Sequence, residues 1–176
     1  MKKTINRIWN VITTCILIIL MLIAAVIFVP KLFGIEPLIV LSGSMEPTYP
    51  TGSLLYVKEI DREDVKEKVP ITFYLDESTL VTHRVIEVKE DGTYVTQGDA
   101  NDVADGGSVK YENILGTPVF HVPQLGYLAD KLSSTTGKII YGSVVVVVII
   151  LMLMGDYLFA PEKKKEEVEV EANEKE

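Results

Sequence analysis

Two apolar runs of membrane length constrain this chain most. A segment that crosses lipid must satisfy its own backbone hydrogen bonds, so each run can only be a helix there. Ile8 to Val29 is 22 residues interrupted by Asn10, Thr13 and Thr14 alone, and a helix of that length spans about 33 Å. Ile139 to Met154 is 16 residues of nearly unbroken apolar character, Gly142 and Ser143 aside, and reaches membrane length when extended through Phe159. Its five consecutive valines and missing polar face favour a second span over a buried core helix. The first run is longer than the apolar core of a cleavable signal peptide, about 7–15 residues, and no small-x-small site with polar flanks follows it, so it reads as a retained anchor. Lys2, Lys3 and Arg7 precede the first run and Lys163-Lys164-Lys165 follow the second. That charge pattern puts both termini in the cytoplasm and the middle outside. The expected organisation is a cytoplasmic N-terminus at 1–7, a span at 8–29, an extracytoplasmic domain at 30–138, a second span at 139–159 and a charged cytoplasmic tail at 160–176. The acidic 166–176 stretch has little to bury and is expected to be disordered.

The middle, 109 residues from Pro30 to Lys138, can build one small core. It holds 17 Asp+Glu against 10 Lys+Arg, a net of −7, which argues against nucleic acid as a partner and against docking on anionic headgroups. The single cysteine, Cys15, lies inside the first apolar run, so an intrachain disulfide and a cysteine nucleophile are both excluded. Two histidines with no thiol near them argue against a zinc site, and no metal or cofactor is expected.

Pro30 should stop the first helix. Leu38–Leu41, Gly52–Val57, Val69–Leu75, Leu80–Lys89, Thr93–Gln97 and Ile114–Val122 read as strands, with Asp91-Gly92 as a hairpin turn and Glu59–Lys68 as a solvated loop or short helix. No helical period runs between Pro30 and Lys131. The fold expected is therefore a mainly β domain anchored by an N-terminal and a C-terminal transmembrane helix.

Chemistry concentrates in three places. Ser42-Gly43-Ser44-Met45-Glu46-Pro47-Thr48 puts a serine on a turn-prone stretch 15 positions beyond Val29. By itself it reads as an ordinary turn, and with a base nearby as a nucleophile. His83 lies on a strand where Val81, His83 and Val85 share one face. An imidazole, titrating near pH 6.5 in model peptides, suits a general base at neutral pH. Gly98 to Gly107 holds Asp99, Asp102 and Asp105. A carboxylate there could fix the imidazole tautomer, and the bland alternatives are an acidic turn or a calcium loop. Asp99 directly follows Gly98, where a carboxylate typically caps a turn through backbone N–H groups. Asp105 has enough loop to return toward His83, with Gly106 and Gly107 supplying backbone freedom. The sequence leaves open whether Asp99 or Asp105 orients the ring, and gives Asp102 no essential role.

Ser42–Thr48, Thr82-His83-Arg84-Val85 and Gly98-Asp99-Ala100-Asn101 resemble, in order and spacing, the boxes of type I signal peptidases, and His121–Tyr127 resembles a further segment of that family. A histidine at 83, where most bacterial members have lysine, points to the branch found in the endoplasmic reticulum, archaea and some Gram-positive bacteria. The resemblance implies a membrane-bound serine endopeptidase that removes signal peptides from secreted preproteins at the outer face of the membrane. Ser44 would be nucleophile, His83 base, Asp105 its carboxylate partner and Asp99 a second required acid. The Ser44 N–H and the Ser42 hydroxyl would form the oxyanion hole. Val40, Met45 and Val81 would line the pockets for small residues at −1 and −3. The implied partners are preproteins, the lipid bilayer and, as a candidate, the protein translocation channel. Gln97 and Ala100 depart from the pattern, where lysine and asparagine are common. A serine–lysine hydrolase is disfavoured because Lys58, Lys66 and Lys68 sit in the charged segment, away from any apolar strand that could lower a lysine pKa. The non-enzymatic alternative is a membrane-anchored β module that binds extracytoplasmic or secreted proteins.

Overall fold

The structure of the protein, a computed structural model, describes residues 2–159; the charged tail read at 160–176 lies outside the described residues. The chain divides into two compact units, one spanning Ile27–Ser133 and the other holding the two long helices.

The helical unit is built from α1 (Lys2–Phe28) and α3 (Thr135–Phe159). Thr4–Phe33 and Thr135–Gly155 are long and apolar enough to be membrane spans. Several polar groups inside these helices find partners within the protein. Thr13 Oγ1 donates back to Trp9 O at 3.0 Å, Trp9 Nε1 donates to Leu151 O at 2.8 Å, and the Tyr141 hydroxyl donates to Leu20 O. Gly155 lets the Trp9 indole close in, since a Cβ there would lie 2.1 Å from its ring.

The other unit is a six-stranded, wholly antiparallel sheet in the order β1-β2-β6-β3-β4-β5. Its strands are β1 (Ile35–Ile39), β2 (Leu54–Lys58), β3 (Pro70–Tyr74), β4 (Leu80–Val88), β5 (Tyr94–Gln97) and β6 (Ile114–Val122). The mainly β fold and the two terminal apolar helices agree with the sequence reading. Three details differ. Helix α1 gives way at Val29–Phe33 to a 3₁₀ turn that carries Pro30 at its start, where the missing N–H is harmless. The first strand is Ile35–Ile39 rather than Leu38–Leu41, because Pro37 fits an edge strand and Leu41, 84% exposed, has left the sheet. A nine-residue helix, α2 (Leu125–Ser133), forms where none was expected. Its single apolar stripe, Leu125, Ala129 and Leu132, is too short to show a helical period by pattern alone.

Two buried clusters hold the sheet. Val65, Ile71, Phe73, Val85, Tyr94 and Val109 form one, and Met45, Tyr49, Leu55 and Val57 the other. Strand alternation puts His83, opposite Ile71 in the β3–β4 register, on the face of the first cluster, while Thr82 and Thr72 join hydroxyls on the other face at 2.8 Å. The second cluster pins the segment after β1 through Met45, 2% exposed, and Tyr49, 9% exposed.

Candidate active site

The chain leaves β1, pairs Val40 N–H with Ser53 O at 3.0 Å, and turns tightly, with Glu46 N–H donating to Gly43 O and Tyr49 N–H to Met45 O. Thr51 donates its backbone N–H and its hydroxyl to Glu46 Oε1, bonds that hold the Glu46 carboxyl below its usual range. Burial of Met45 behind Ser44 leaves the serine half-buried at the edge of a cavity of about 310 Å³. That cavity is lined by Val40, Ser42, Ser44, Met45, Val81 and His83 among others. The structure thus brings together the nucleophile, base, oxyanion and pocket residues read from the sequence. The Ser44 hydroxyl lies 3.3 Å from Ser42 Oγ, and among the described residues no hydrogen bond joins it to His83. Such bonds are often loose before substrate binds. The Ser44 N–H meets no acceptor among the described residues.

His83 is 8% exposed, and its Nδ1 lies 2.6 Å from Asp105 Oδ2. Thr96 Oγ1 donates to the same carboxylate oxygen at 2.6 Å, and the Asp105 N–H donates to Thr96 O at 2.8 Å. Backbone pairing with β5 therefore carries the loop back to His83. Gly106 and Gly107 do not take a left-handed conformation, so the return does not rest on their backbone freedom.

Asp99 is held by side chains rather than by the turn N–H groups expected of it. Its two oxygens take Arg84 Nε at 2.8 Å and Nη2 at 2.7 Å, and Oδ2 also accepts the Thr48 hydroxyl. Arg84 in turn donates to Lys68 O. These bonds, Arg84's above all, hold the Asp99 carboxyl below the usual carboxylate range against the opposing effect of burial. Asp99 thus ties the Ser44 turn to the strand that bears His83. Asp102 is exposed and makes no hydrogen bond among the described residues.

Arg84, Thr48 and Thr96 received no role from the sequence. The signal for Thr96 was its inward position on a short alternating strand; for Arg84 it was adjacency to His83 with an acid-rich loop elsewhere. Gly98 was also missed. A Cβ there would lie 2.5 Å from Ser44 O, and this close approach lets the Ala100 N–H donate to the same carbonyl at 2.9 Å. The departures at 97 and 100 are accommodated: Gln97 Nε2 closes the loop on Asn101 O, and position 100 uses its backbone alone. The second histidine, His121, lies edge-on to the Tyr49 ring on β6.

No family model matches the chain. The signal peptidase I W of Bacillus subtilis (strain 168) is 44% identical over 89 residues, 48% of this chain and 47% of its own length. The signal peptidase complex catalytic subunit SEC11C of Homo sapiens is 35% identical over 77 residues, 41% of this chain and 40% of its own. Over these segments the chain is similar to signal peptidases. A third similar protein, the signal peptidase complex catalytic subunit SEC11 of Zygosaccharomyces rouxii, is 33% identical over 102 residues, 51% of this chain and 61% of its own length. The chain spans about half the length of the curated relatives it matches. The kinship to signal peptidases and the two apolar helices together point to a membrane location.

Proposed function

We propose that this protein is a membrane-bound serine endopeptidase that removes signal peptides from preproteins, with Ser44 as nucleophile and His83 as general base. The observation that carries the reading is a single cavity lined by both Ser44 and His83, with Asp105 2.6 Å from the ring nitrogen on the far side. His83 Nε2 takes the Ser44 proton as Oγ attacks the scissile carbonyl; Asp105 holds the tautomer with its proton on Nδ1 and stabilises the imidazolium. The Ser44 N–H and the Ser42 hydroxyl receive the developing oxyanion. His83 then protonates the leaving amine, and a water activated by the same ring releases the acyl chain.

The β5 register reaches β4 only from Arg84 to Val88, so among the described residues Leu80–His83 is paired on its β3 side alone. An extended peptide can add along that edge, with its small −1 and −3 side chains set among Val40, Met45 and Val81. The basic flanks of the two apolar helices support placing the β unit outside, where preproteins leave a translocation channel, with both termini in the cytoplasm. The test is cleavage of a model preprotein in lipid vesicles by wild type and by Ser44→Ala. Loss of cleavage in the variant is expected, and equal cleavage overturns the reading. On sealed vesicles oriented as the intact cell, external protease should reach the Glu59–Lys68 loop; protection of that loop overturns the orientation.

A further inference from the structure

We propose, resting on the peptidase reading above, that a second cavity behind His83 receives the first residue on the mature side of the scissile bond. Among the described residues, this cavity, of about 480 Å³, shares only Val81 and His83 with the cavity that holds Ser44. Its other walls include Phe73, Leu75, Asp105 and Gly107. Val81 and His83 stand two residues apart on one face of β4, so they form the partition between the two spaces.

The chemistry assigns the two halves of the substrate to the two sides. In acyl transfer the bond from carbonyl carbon to amide nitrogen breaks. The acyl half stays on Ser44 Oγ, and so occupies the Ser44 cavity. The amine half takes its proton from His83 Nε2 and departs. It departs past the imidazole, which also borders the second cavity. An extended strand advances about 3.3 Å per residue, so the side chain next to the broken bond lies within reach of that space. Phe73 and Leu75 give the cavity an apolar wall that admits side chains of several sizes.

Gly106 and Gly107 supply the probe. A Cβ at either position meets nothing within 4 Å, and neither residue has a left-handed backbone. Gly106→Phe and Gly107→Phe can thus narrow the cavity without strain. Leu75→Ala, at a residue 68% exposed, should widen it without threatening the fold. The experiment measures kcat/KM for model preproteins that differ only at +1 (Ala or Phe) or only at −1 (Ala or Ser). At least one of the Gly→Phe variants should lower the ratio for +1 Phe over +1 Ala by tenfold or more. Leu75→Ala should raise that ratio, and the −1 ratio should hold in all three. An unchanged +1 ratio in all three variants, or a shift in the −1 ratio instead, overturns the assignment. Those results would leave Ser44-dependent cleavage by wild type intact. Failure of the peptidase reading is separate, and shows as cleavage that survives Ser44→Ala or as no cleavage by wild type.

Discussion

Replacing Asp105 by Asn tests the His83 arrangement with little change of shape. The carboxylate oxygen lies 2.6 Å from His83 Nδ1, and the two side chains are only 28% and 10% exposed. Two unit charges about 4 Å apart at an effective dielectric near 20 interact by about 4 kcal/mol. At 1.36 kcal/mol per decade of rate, losing the stabilised imidazolium lowers turnover about a thousandfold. The tautomer adds to this. Thr96 Oγ1 donates to the oxygen that faces His83, but a hydroxyl can turn and accept from an amide NH₂ instead. Nothing in the pocket then keeps the oxygen of the new amide toward the ring, and an NH₂ facing Nδ1 selects the unproductive tautomer. The expected loss in kcat is about 10³–10⁴, as in the Ser-His-Asp template. The assay is single-turnover cleavage of a model preprotein in detergent, paired with a thermal melt. A loss below tenfold with an unchanged melting temperature would refute the reasoning.

Asp99→Asn should lower stability at neutral pH by about 2–3 kcal/mol, because it weakens two charge-assisted bonds to Arg84. Asp99's folded pKa is depressed, so its contribution is present above the unfolded value near 4 and lost as pH falls through the lower folded value; wild type should show this acid decline in melts, and Asp99→Asn should show less of it. Within the peptidase reading, a −1 Leu or Phe should overpack the space among Val40, Met45 and Val81 at a cost of about 1–3 kcal/mol, so efficient processing of such preproteins would count against that pocket. Gly126→Ala would place a Cβ 2.6 Å from Ser53 O and should lower Tm by several degrees; a melt equal to wild type would show that α2 can shift freely on β2.

Local pattern alone set much of this protein. The two apolar runs had one secondary structure open to them in lipid. Period-2 alternation marked most strands, and Asp91-Gly92 marked its turn, where Gly92 takes φ +77°. The serine, the histidine and the acid-rich loop were legible as residue types suited to one chemistry. Partner choice was not legible, because it depends on contacts between residues far apart in the chain. Asp99 and Asp105 are both aspartates of one loop. Only the β4–β5 register brings the second to Nδ1 of His83, and only the path of the Ser44 turn delivers Thr48 and Arg84 to the first. The same holds for glycine. Gly98 and Gly106 look alike in sequence, yet the backbone of Ser44 crowds one and open space surrounds the other. Propensity acts over neighbours in the chain, whereas the site is made by segments that meet only after the sheet has closed.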